Sequence, residues 1–436
     1  MLEKFKNHIN QKFKFLTESR SIIAVSGGLD SVVLTYLCHE LDFNFALAHC
    51  NFNLRGNESD EDEIFMVNLA NQLNIEIFSE SFHTKDYAKL NKLSTQMAAR
   101  ELRYNWFYDL AENLNFNYIL TAHHADDNLE TFLINLSRGT GINGLTGIPE
   151  INDKLVRPLL PFTREEIEEY AKANHLRWRE DSSNASDKYL RNKLRHHVIP
   201  ALKETHPELL VNFKTTLDHL NDTADIVEES LNAVAKRAID FIDESQIKFK
   251  VSEFKKVNNP KAYLFEMFKS YGFTQWTDIV DLLEAQSGKQ VLSNSHRLIK
   301  DRAHLILTDL TSEASESFLI KANAKEFQTP KGILFFDEAD AISQHSSTTI
   351  YVDKAGIQFP LIVRKWKDGD VFFPIGMKGK KKLSKYFKDE KFSLVDKENT
   401  WLLCSNNDIV WIIGKRADNR FKASRETTEI LKITLD

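Results

Sequence analysis

The sequence predicts an α/β protein in which a doubly wound, mainly parallel sheet is followed by a helical domain and a small α+β C-terminal domain. Strand-like apolar runs alternate with helical patterns in the first part, helical spacing dominates the middle, and β-type runs return near the end. Strands that alternate with helices form parallel sheets. Because 436 residues exceed the usual size of one hydrophobic core, we expect domains at 1–215, 216–320 and 345–436.

Each predicted strand of the first domain ends in a polar segment. The apolar runs are Ser21–Val25, Phe43–Ala48 and Tyr118–Ala122. The polar segments that follow them are 26–31, 49–55 and 123–130. Ligands of doubly wound sheets bind beyond the carboxyl ends of the strands, so these segments are expected to form the functional site.

Later elements carry signals of their own. Thr163 and Glu166 have the spacing of a capping box, which predicts a helix up to about Asn174. From about residue 206 to 310 glycines are few and apolar residues recur every three or four positions, which predicts helices. The predicted C-terminal strands are Ile350–Val352, Leu361–Val363, Trp401–Cys404 and Ile409–Ile413.

Composition places the chain among ordinary globular proteins, with 42% hydrophobic and 28% charged residues. The first twenty residues lack the apolar core of a signal peptide, and no apolar run has spanning length. We therefore expect a soluble cytoplasmic protein without a membrane partner. Cys38, Cys50 and Cys404 are too widely separated for a CxxC pair, a zinc ribbon or a disulfide framework, which favours packing positions for them.

A glycine-rich loop is the strongest single signal. The string SGGLDS joins the first predicted strand to a helix. The residues that we predict to bind a nucleotide are Ser26, Gly27, Gly28, Leu29, Asp30 and Ser31. Adjacent glycines let the backbone approach an anion, and the helix start offers unpaired N–H groups. The loop lacks the lysine and spacing of a Walker motif, which disfavours a kinase or GTPase. A plain glycine turn is the structural alternative.

Two imidazoles and three carboxylates follow the third predicted strand. Asp127 and Glu130 are the predicted catalytic pair, because carboxylates hold Mg²⁺ or accept a proton from an amine. Capping of the helix is the alternative role for Asp126. Zinc is disfavoured because too few His and Cys residues lie nearby. Of two arginines one turn apart, Arg103 rather than Arg100 is expected to meet an α-phosphate, with structural ion pairing as the alternative.

The segment from residue 138 to 147 holds four of the fifteen glycines of the chain. Such a segment serves either as a mobile flap over a site or as a flexible connector. The sequence leaves both interpretations open.

Basic residues are concentrated locally although the formal net charge of the chain is -6. Between Arg364 and Lys391 there are ten basic and four acidic residues. This excess is typical of polyanion contact, or of a solvated lysine-rich face. The residues that we predict to contact phosphates are Arg191, Asn192, Arg195, Lys381, Lys382 and Lys385.

Several strings resemble known families. SGGLDS resembles the signature of the PP-loop ATP pyrophosphatases, which have an adenine nucleotide alpha hydrolase-like fold and split ATP into AMP and pyrophosphate. HHADDNLET, RGTGINGLTG, RPLLPFTREEIEEYA and EDSSNASDKYLRNKLRHHVIP follow in the order found in the tRNA(Ile)-lysidine synthetase family. VRKWKDGDVFFPIGMKGKKKLSKYF and VWIIGKRADNRFK resemble the last domain of that family. The resemblance is dense over 20–200, looser over 360–425 and weak between them.

The resemblance implies a two-step reaction on isoleucine tRNA with a CAU anticodon. O2 of the wobble cytidine attacks the α-phosphate of ATP and pyrophosphate leaves. The ε-amino group of free L-lysine then displaces AMP, and cytidine becomes lysidine. The tRNA consequently reads AUA and is charged with isoleucine.

The resemblance also implies roles for individual residues. Asp127 accepts or orients the lysine amine, Arg103 and His123 act at the phosphate, and Glu130 supports the metal or the lysine. The glycine-rich loop binds ATP, and Asp30 in it holds Mg²⁺. The basic residues named above contact the tRNA. By the same resemblance, 1–215 is the ATP-binding catalytic domain, and the helical domain at 216–320 and the α+β domain at 345–436 bind tRNA.

The segment after the second predicted strand departs from the family pattern. Many members carry a second His and a Gly where this chain has Phe52 and Asn53, so no role of that His is transferred. His49 and Arg55 match the pattern, and His49 is expected at the ATP site.

Three other functions remain open on the sequence alone. A PP-loop small-acid amidating synthetase would share SGGLDS but needs no basic C-terminal module. A tRNA thiolase usually needs reactive cysteines near the site, and Cys38 and Cys50 have no CxxC partner. An RNA-binding protein with a vestigial ATP site would not need Asp30, Asp127 and Glu130. The oligomeric state is also open, and a homodimer is compatible with the sequence.

Overall fold

The computed structural model describes residues 1–180, 190–310, 317–343, 346–377 and 379–436. The chain forms two compact units, Met1–Glu228 and Glu229–Asp436. The predicted segment from Glu180 to Pro200 is described from Leu190 onward, and residues 181–189 lie outside the described part.

In the described part of the first unit, six strands form one sheet flanked by helices. The strands are β1 Arg20–Val25, β2 Asn44–Asn51, β3 Ile77–Ser81, β4 Tyr118–Leu120, β5 Ile151–Asn152 and β6 Leu155–Val156. The helices are α1 Leu2–Lys12, α2 Leu29–Glu40, α3 Asn57–Leu73, α4 Thr84–Leu90, α5 Thr95–Asn113, α6 Ala125–Arg138, α7 Ile142–Leu145, α8 Arg164–Ala173, α9 Leu190–Lys193, α10 Ile199–Thr205 and α11 Leu209–Ala238, of which α11 ends in the second unit. The predicted helix after Thr163 is confirmed, because Thr163 Oγ1 accepts the Glu166 N–H at 3.1 Å.

The strand order is β3-β2-β1-β4-β6-β5. Four strand pairs of this sheet are parallel, namely β1–β2, β2–β3, β1–β4 and β4–β6. Of the strands described in this sheet, only the short β5 is antiparallel to its neighbour, β6. The order reverses direction between β1 and β4, which makes their carboxyl ends the topological switch point of the sheet. The predicted doubly wound, mainly parallel sheet is confirmed.

Both faces of this sheet are covered. Successive strand residues point to opposite faces, so Ile23 packs with Leu34 and Met66 in one buried cluster while Ile22 packs with Phe107 in another. The first cluster involves α2 and α3, and the second involves α5. The two buried layers hold the switch point rigidly between them.

A wide helical turn separates α9 from α10. Residues Leu194–Val198 form a π-helix, in which backbone hydrogen bonds join residues five apart. Arg195 lies in this turn.

The middle of the chain contains a sheet that the sequence interpretation missed. Its strands are β7 Ile239–Ile242, β8 Ile247–Lys250, β9 Gln290–Leu292, β10 His296–Asp301 and β11 His304–Asp309, in the antiparallel order β7-β8-β11-β10-β9. Its helices are α12 Val251–Lys255, α13 Pro260–Phe268 and α14 Trp276–Asp281. The 216–320 region, which the sequence predicts to be a helical domain, thus combines helices with a five-stranded antiparallel sheet. The β10–β11 hairpin turns at Arg302, which adopts a φ of 49° without a glycine.

The C-terminal part combines antiparallel sheets with short helices, as predicted. Its strands are β12 Phe318–Ile320, β13 Glu326–Thr329, β14 Gly332–Ala339, β15 Thr349–Asp353, β16 Leu361–Lys365, β17 Val371–Phe372, β18 Lys381–Lys382, β19 Trp401–Ser405, β20 Asp408–Ile412 and β21 Ile430–Leu435. Its helices are α15 Leu383–Asp389 and α16 Leu394–Glu398. The strands β12 and β14, upstream of the predicted boundary at 345, pair with β16 and β21.

None of the helices in the described ranges is both long enough and apolar enough to cross a membrane.

Candidate active site

The glycine-rich loop lies where the sequence places it, between β1 and α2, with Gly28 as the N-cap of the helix. Gly27 has a φ of 84°, a conformation that favours glycine. Ser31 Oγ accepts the Ser26 N–H at 3.3 Å and donates to the Gly28 carbonyl at 2.9 Å. The side chain of Leu29 is buried, so this residue offers the ligand only its backbone. The first turn of α2 therefore points free N–H groups at the switch point, as an anion site requires.

Asp30 in this first turn pairs with α8. Arg164 Nη1 lies 3.2 and 3.1 Å from the two carboxylate oxygens of Asp30. The backbone N–H of Arg164 donates to Asp126 Oδ2 at 2.8 Å. The start of α8 thus ties the first turn of α2 to α6.

Asp126 and Asp127, at the start of α6, make different contacts from those that the sequence predicts. Asp127 Oδ2 accepts the backbone N–H of His124, the N-cap of α6, at 3.2 Å. Asp126 instead bonds Arg164 and the ammonium of Lys203, the latter at 2.7 Å. The capping role considered for Asp126 belongs to Asp127, because the third helical residue is the one that reaches back to the N-cap.

His124 is a buried imidazole among three carboxylates. Its Nε2 lies 3.8 Å from Asp30 Oδ1 and 3.4 Å from Asp127 Oδ2, and its Nδ1 lies 3.7 Å from Asp126 Oδ2. Burial by itself lowers the pKa of His124, but the three carboxylates outweigh it and raise that pKa above its usual value. Asp30 and Asp127 thus meet at Nε2 of the ring, and Asp126 lies at its Nδ1.

Asp127 and Glu130 lie one helical turn apart and share Arg195. Arg195 Nη2 lies 3.3 Å from Asp127 Oδ1, and its Nε lies 2.6 Å from Glu130 Oε1. Arg191 Nε lies 3.2 Å from Glu130 Oε2. Burial raises the pKa of Glu130, whose side chain is 1% exposed. Asp127 is also buried, but the charges of His124 and His123 lower its pKa.

Two of the predicted phosphate-contact residues therefore face the predicted catalytic pair. Arg191 and Arg195 come from α9 and the π-helical turn, and both bond carboxylates of α6. Asn192 lies between them on α9. These cations neutralise Asp127 and Glu130 within a buried cluster.

His123 lies beside this cluster. Its Nδ1 is 2.9 Å from Thr121 Oγ1. Burial lowers the pKa of His123 to about 4, and nearby arginines add to the effect of burial. His123 is consequently neutral at pH 7.

Arg103 of α5 lies beside the segment after β2. Its guanidinium carbon is 5.1 Å from the centre of the Phe52 ring, and Phe52 stacks on Phe82 at 5.7 Å. His49 Nδ1 lies 3.0 Å from the Val25 carbonyl, and burial lowers the pKa of His49. Phe52 thus makes a cation–π contact with Arg103.

The glycine-rich segment 138–147 packs on α6. Asn128 Oδ1 accepts the Ile148 N–H at 2.7 Å, and Asn135 Nδ2 donates to the Gly144 carbonyl at 2.8 Å. A Cβ atom on Gly147 would lie 2.5 Å from Asn128 Oδ1. Close packing of this segment against α6 requires glycine there.

Comparison with known proteins places this geometry in a family. Residues 1–202 match the PP-loop domain, residues 242–310 the TilS substrate binding domain, and residues 361–433 the TilS substrate C-terminal domain. The tRNA(Ile)-lysidine synthase of Parabacteroides distasonis is 39% identical over 97% of both chains. The chain belongs to the tRNA(Ile)-lysidine synthase family. The Bacteroides thetaiotaomicron member is 38% identical over the same shares.

Among solved structures, the chain is similar to a U34-tRNA thiolase, NcsA of Methanococcus maripaludis. The identity is 18% and the TM-score 0.41, over 50% of this chain and 79% of the thiolase.

In this lysidine synthase family member, the predicted C-terminal lysines differ in their surroundings. Lys381 bonds Asp389 at 2.7 Å and lies 5.7 Å from the Tyr386 ring centre. Lys382 and Lys385 are exposed. The two exposed lysines are therefore the better placed to meet a polyanion.

Sequence reasoning missed several charged residues of the site. Arg164 stood in the predicted capping box, but only its contact with Asp30 shows a further role. Lys203 and Arg179 carried no signal at all. Arg179 donates its backbone N–H to the Gly27 carbonyl at 2.9 Å, and its side chain bonds Asp62 of α3. Such contacts join residues far apart in sequence, so no local pattern indicates them.

Proposed function

We propose that this chain performs the reaction of the tRNA(Ile)-lysidine synthase family at the switch point between β1 and β4. It uses ATP to activate the wobble cytidine of isoleucine tRNA with a CAU anticodon and joins free L-lysine to C2 of that base. AMP and pyrophosphate are the other products. The observation that carries the proposal is the buried carboxylate pair Asp127 and Glu130, which lies beside His124 and the first turn of the helix after the glycine-rich loop.

Adenylation draws on the loop and the groups around it. The backbone N–H groups of Leu29, Asp30 and Ser31, in the first turn of α2, bind the pyrophosphate part of ATP, where the helix dipole favours negative charge. His123 is neutral and donates a hydrogen bond to the reacting phosphate. Arg103 stabilises the charge that develops at the α-phosphate. Neutral His49 contacts the nucleotide from β2.

The donor set fits Mg²⁺. This ion takes oxygen ligands, keeps several waters and commonly needs one or two carboxylates beside substrate phosphates. Asp30 offers such a carboxylate, 27% exposed, in the first turn after the loop. Asp30 would hold the ion, with Glu130 in support, and the bound ion would neutralise charge on the leaving pyrophosphate.

Lysine transfer depends on the α6 carboxylates. The ε-ammonium of lysine must lose a proton before its nitrogen attacks C2, and AMP leaves from the same carbon. Asp127 carries a lowered pKa and is ionised at neutral pH, so it accepts that proton or orients the amine. The incoming ammonium takes the place of Arg195 at the carboxylate, since both are cations that bond the same oxygens.

A product assay tests the proposal. The protein is incubated with ATP, labelled L-lysine and either isoleucine tRNA or methionine tRNA with the same anticodon. Lysine is expected to enter isoleucine tRNA alone, with one AMP formed for each lysine. Release of pyrophosphate without any tRNA would instead indicate a small-acid amidating synthetase, and transfer of sulfur to the tRNA would indicate a thiolase.

A further inference from the structure

The helical hairpin α4–α5 carries a depression that takes no part in the site described above. Its volume is about 760 Å³, within the range of small-ligand pockets. The residues that line it are His83, Asp86, Tyr87, Lys89, Leu90 and Leu102.

The apolar part of this hairpin is open to solvent. The side chain of Leu90 is 82% exposed, and that of Met97 is 58% exposed. Tyr87 OH donates to Glu101 Oε1 at 2.8 Å, which fixes the ring at the wall of the depression. An aromatic ring beside exposed aliphatic side chains offers a surface on which a flat ligand can stack.

The charge around the depression favours an anionic partner. Residues 83–103 contain five basic and two acidic residues, whereas the whole chain has a net charge of -6. The basic residues are Lys85, Lys89, Lys92, Arg100 and Arg103. Aromatic side chains interleaved with basic ones are the pattern of single-stranded nucleic acid binding, in which bases stack and the backbone meets cations.

The depression adjoins the reaction site. Thr84, the first residue of α4, donates through Oγ1 to the Phe52 carbonyl at 2.9 Å. Asn53 Nδ2 donates to Ser81 Oγ at 2.8 Å, so the segments after β2 and β3 are packed as one body. Leu90 ends α4, six residues from Thr84, which is about 9 Å along a helix axis.

We infer that the α4–α5 depression binds one unpaired nucleotide of the tRNA loop that carries the wobble cytidine. The base stacks on Tyr87 and Leu90, and the neighbouring lysines meet the phosphates. RNA is read in this way where its bases are unpaired and can be turned outward. The inference rests on the proposed function, because it takes the tRNA loop as the substrate of the adjoining site.

The first test is kinetic and uses the full chain with an anticodon stem-loop RNA. Tyr87→Ala and Leu90→Ser are each expected to raise the KM for the RNA by about 5-fold to 100-fold, the range of one stacked base. The KM values for ATP and lysine stay unchanged, and Tyr87→Phe keeps wild-type values because it keeps the ring. Leu114→Ser, at the far end of α5, is the matched control and leaves all KM values unchanged.

The second test identifies the nucleotide. Stem-loops with an abasic site at each loop position other than the wobble cytidine are compared in wild type and in Leu90→Ser. At one loop position, the abasic site is expected to raise the KM of wild type by the same factor as Leu90→Ser does with the intact RNA. At that position the abasic site should not raise the KM of the Leu90→Ser variant any further. Leu90 is exposed, so Leu90→Ser is expected to leave the fold intact. The abasic comparison therefore tests the nucleotide site even if Tyr87→Ala lowers the stability of the protein.

The results separate this inference from the proposed function. No lysidine from wild type and an intact stem-loop would overturn the proposed function. Normal lysidine formation with an unchanged KM for RNA in Leu90→Ser, or no coupled abasic position, would overturn only the nucleotide site. If the KM of the Leu90→Ser variant for RNA returned to the wild-type value only when a second protein was added, the depression would be a site for a protein partner. That result would also overturn the nucleotide site.

Discussion

Asp127 accepts the backbone N–H of His124 and bonds Arg195, so its carboxylate is oriented from two sides. We predict that Asp127→Asn lowers the rate of lysine transfer by at least about 100-fold, the lower bound for loss of a group that moves a proton. The side chain keeps its shape, so tRNA affinity stays within about two-fold of wild type, an effect below the size of one lost contact. Labelled-lysine incorporation and a filter-binding titration measure the two quantities.

Asp109→Asn is the control for this substitution, because Asp109 is an exposed carboxylate on α5. An active Asp127→Asn enzyme would remove Asp127 from the mechanism. Equal losses in both variants would show that the effect is not specific to the site.

His123 makes the stability of the protein depend on pH. Its pKa is about 4 in the folded chain and 6.5 in the unfolded chain, because burial disfavours the imidazolium. The unfolded state therefore takes up a proton as the pH falls through 6.5, and the folded state does so only near 4. Acidification from pH 7 to pH 5 should cost about 2 kcal/mol of unfolding free energy through this one residue.

Urea unfolding at both pH values measures this loss in wild type and in His123→Gln. The variant is expected to lose about 2 kcal/mol less than wild type on acidification. His39→Gln, at an exposed histidine of α2, should lose as much as wild type does. Identical losses for wild type and His123→Gln would contradict the assignment.

At the scale of single residues, the sequence predicted site residues where polar side chains come directly after a strand. Asp127 and Glu130 could be chosen because they come just after β4, at the end where ligands bind. The pairing of these carboxylates with Arg195, a residue predicted only as a phosphate contact, could not be predicted, because 65 positions separate Arg195 from Glu130. The role of His124 was missed for the same reason, since Asp30 belongs to another helix.

At the scale of elements, the segment after β2 supports Arg103 through an aromatic contact. We predict that Phe52→Leu lowers kcat by about 2-fold to 30-fold, the range expected for loss of a cation–π contact. The KM for tRNA is expected to stay unchanged, and Phe52→Tyr should restore the rate because it restores the ring. Steady-state kinetics at saturating ATP and lysine measure this effect.

A double-mutant cycle checks that Phe52 acts through Arg103. Arg103→Ala should cost less kcat in the Phe52→Leu background than in wild type, because the contact is already lost. Additive losses in the two backgrounds would show that the two side chains act independently.

Elements with a local signature were predicted, including strands β1, β2 and β4, whereas the β7–β11 sheet in the middle of the chain was not. Helix α8 was predicted because the four residues from Thr163 to Glu166 carry the capping-box pattern at its start. The β10–β11 hairpin has no glycine at its turn, and its Leu and Ile residues also fit a helical spacing. Pairing with β8 and β9 decides that segment, and such pairing leaves no trace in local sequence.

At the scale of the whole molecule, tRNA binding should depend steeply on salt although the chain is acidic overall. Each phosphate contact adds about 0.7 to 0.9 to the slope of log K against log salt. We predict that the double variant Lys382→Ala, Lys385→Ala lowers this slope by about 1.5 and weakens binding of all tRNAs alike. Binding titrations between low and high salt measure the slope.

The matched control replaces Lys321 and Lys325, two exposed lysines outside the basic cluster. This pair should leave the slope unchanged, and the KM for ATP should stay constant in both double variants. A salt-independent affinity of the wild-type protein would contradict electrostatic binding by the C-terminal lysines.

The π-helical turn at Leu194–Val198 takes up one residue more than an α-helical turn does, between the α-helical segments α9 and α10. Deleting one residue here would close the turn into an ordinary α-helix, and Arg195 would lose its place in the widened turn beside Glu130. Glu130 is buried, and a buried anion that loses a counterion destabilises the fold. A single-codon deletion in this turn would therefore be more damaging than replacement of the exposed Val198 by another apolar residue.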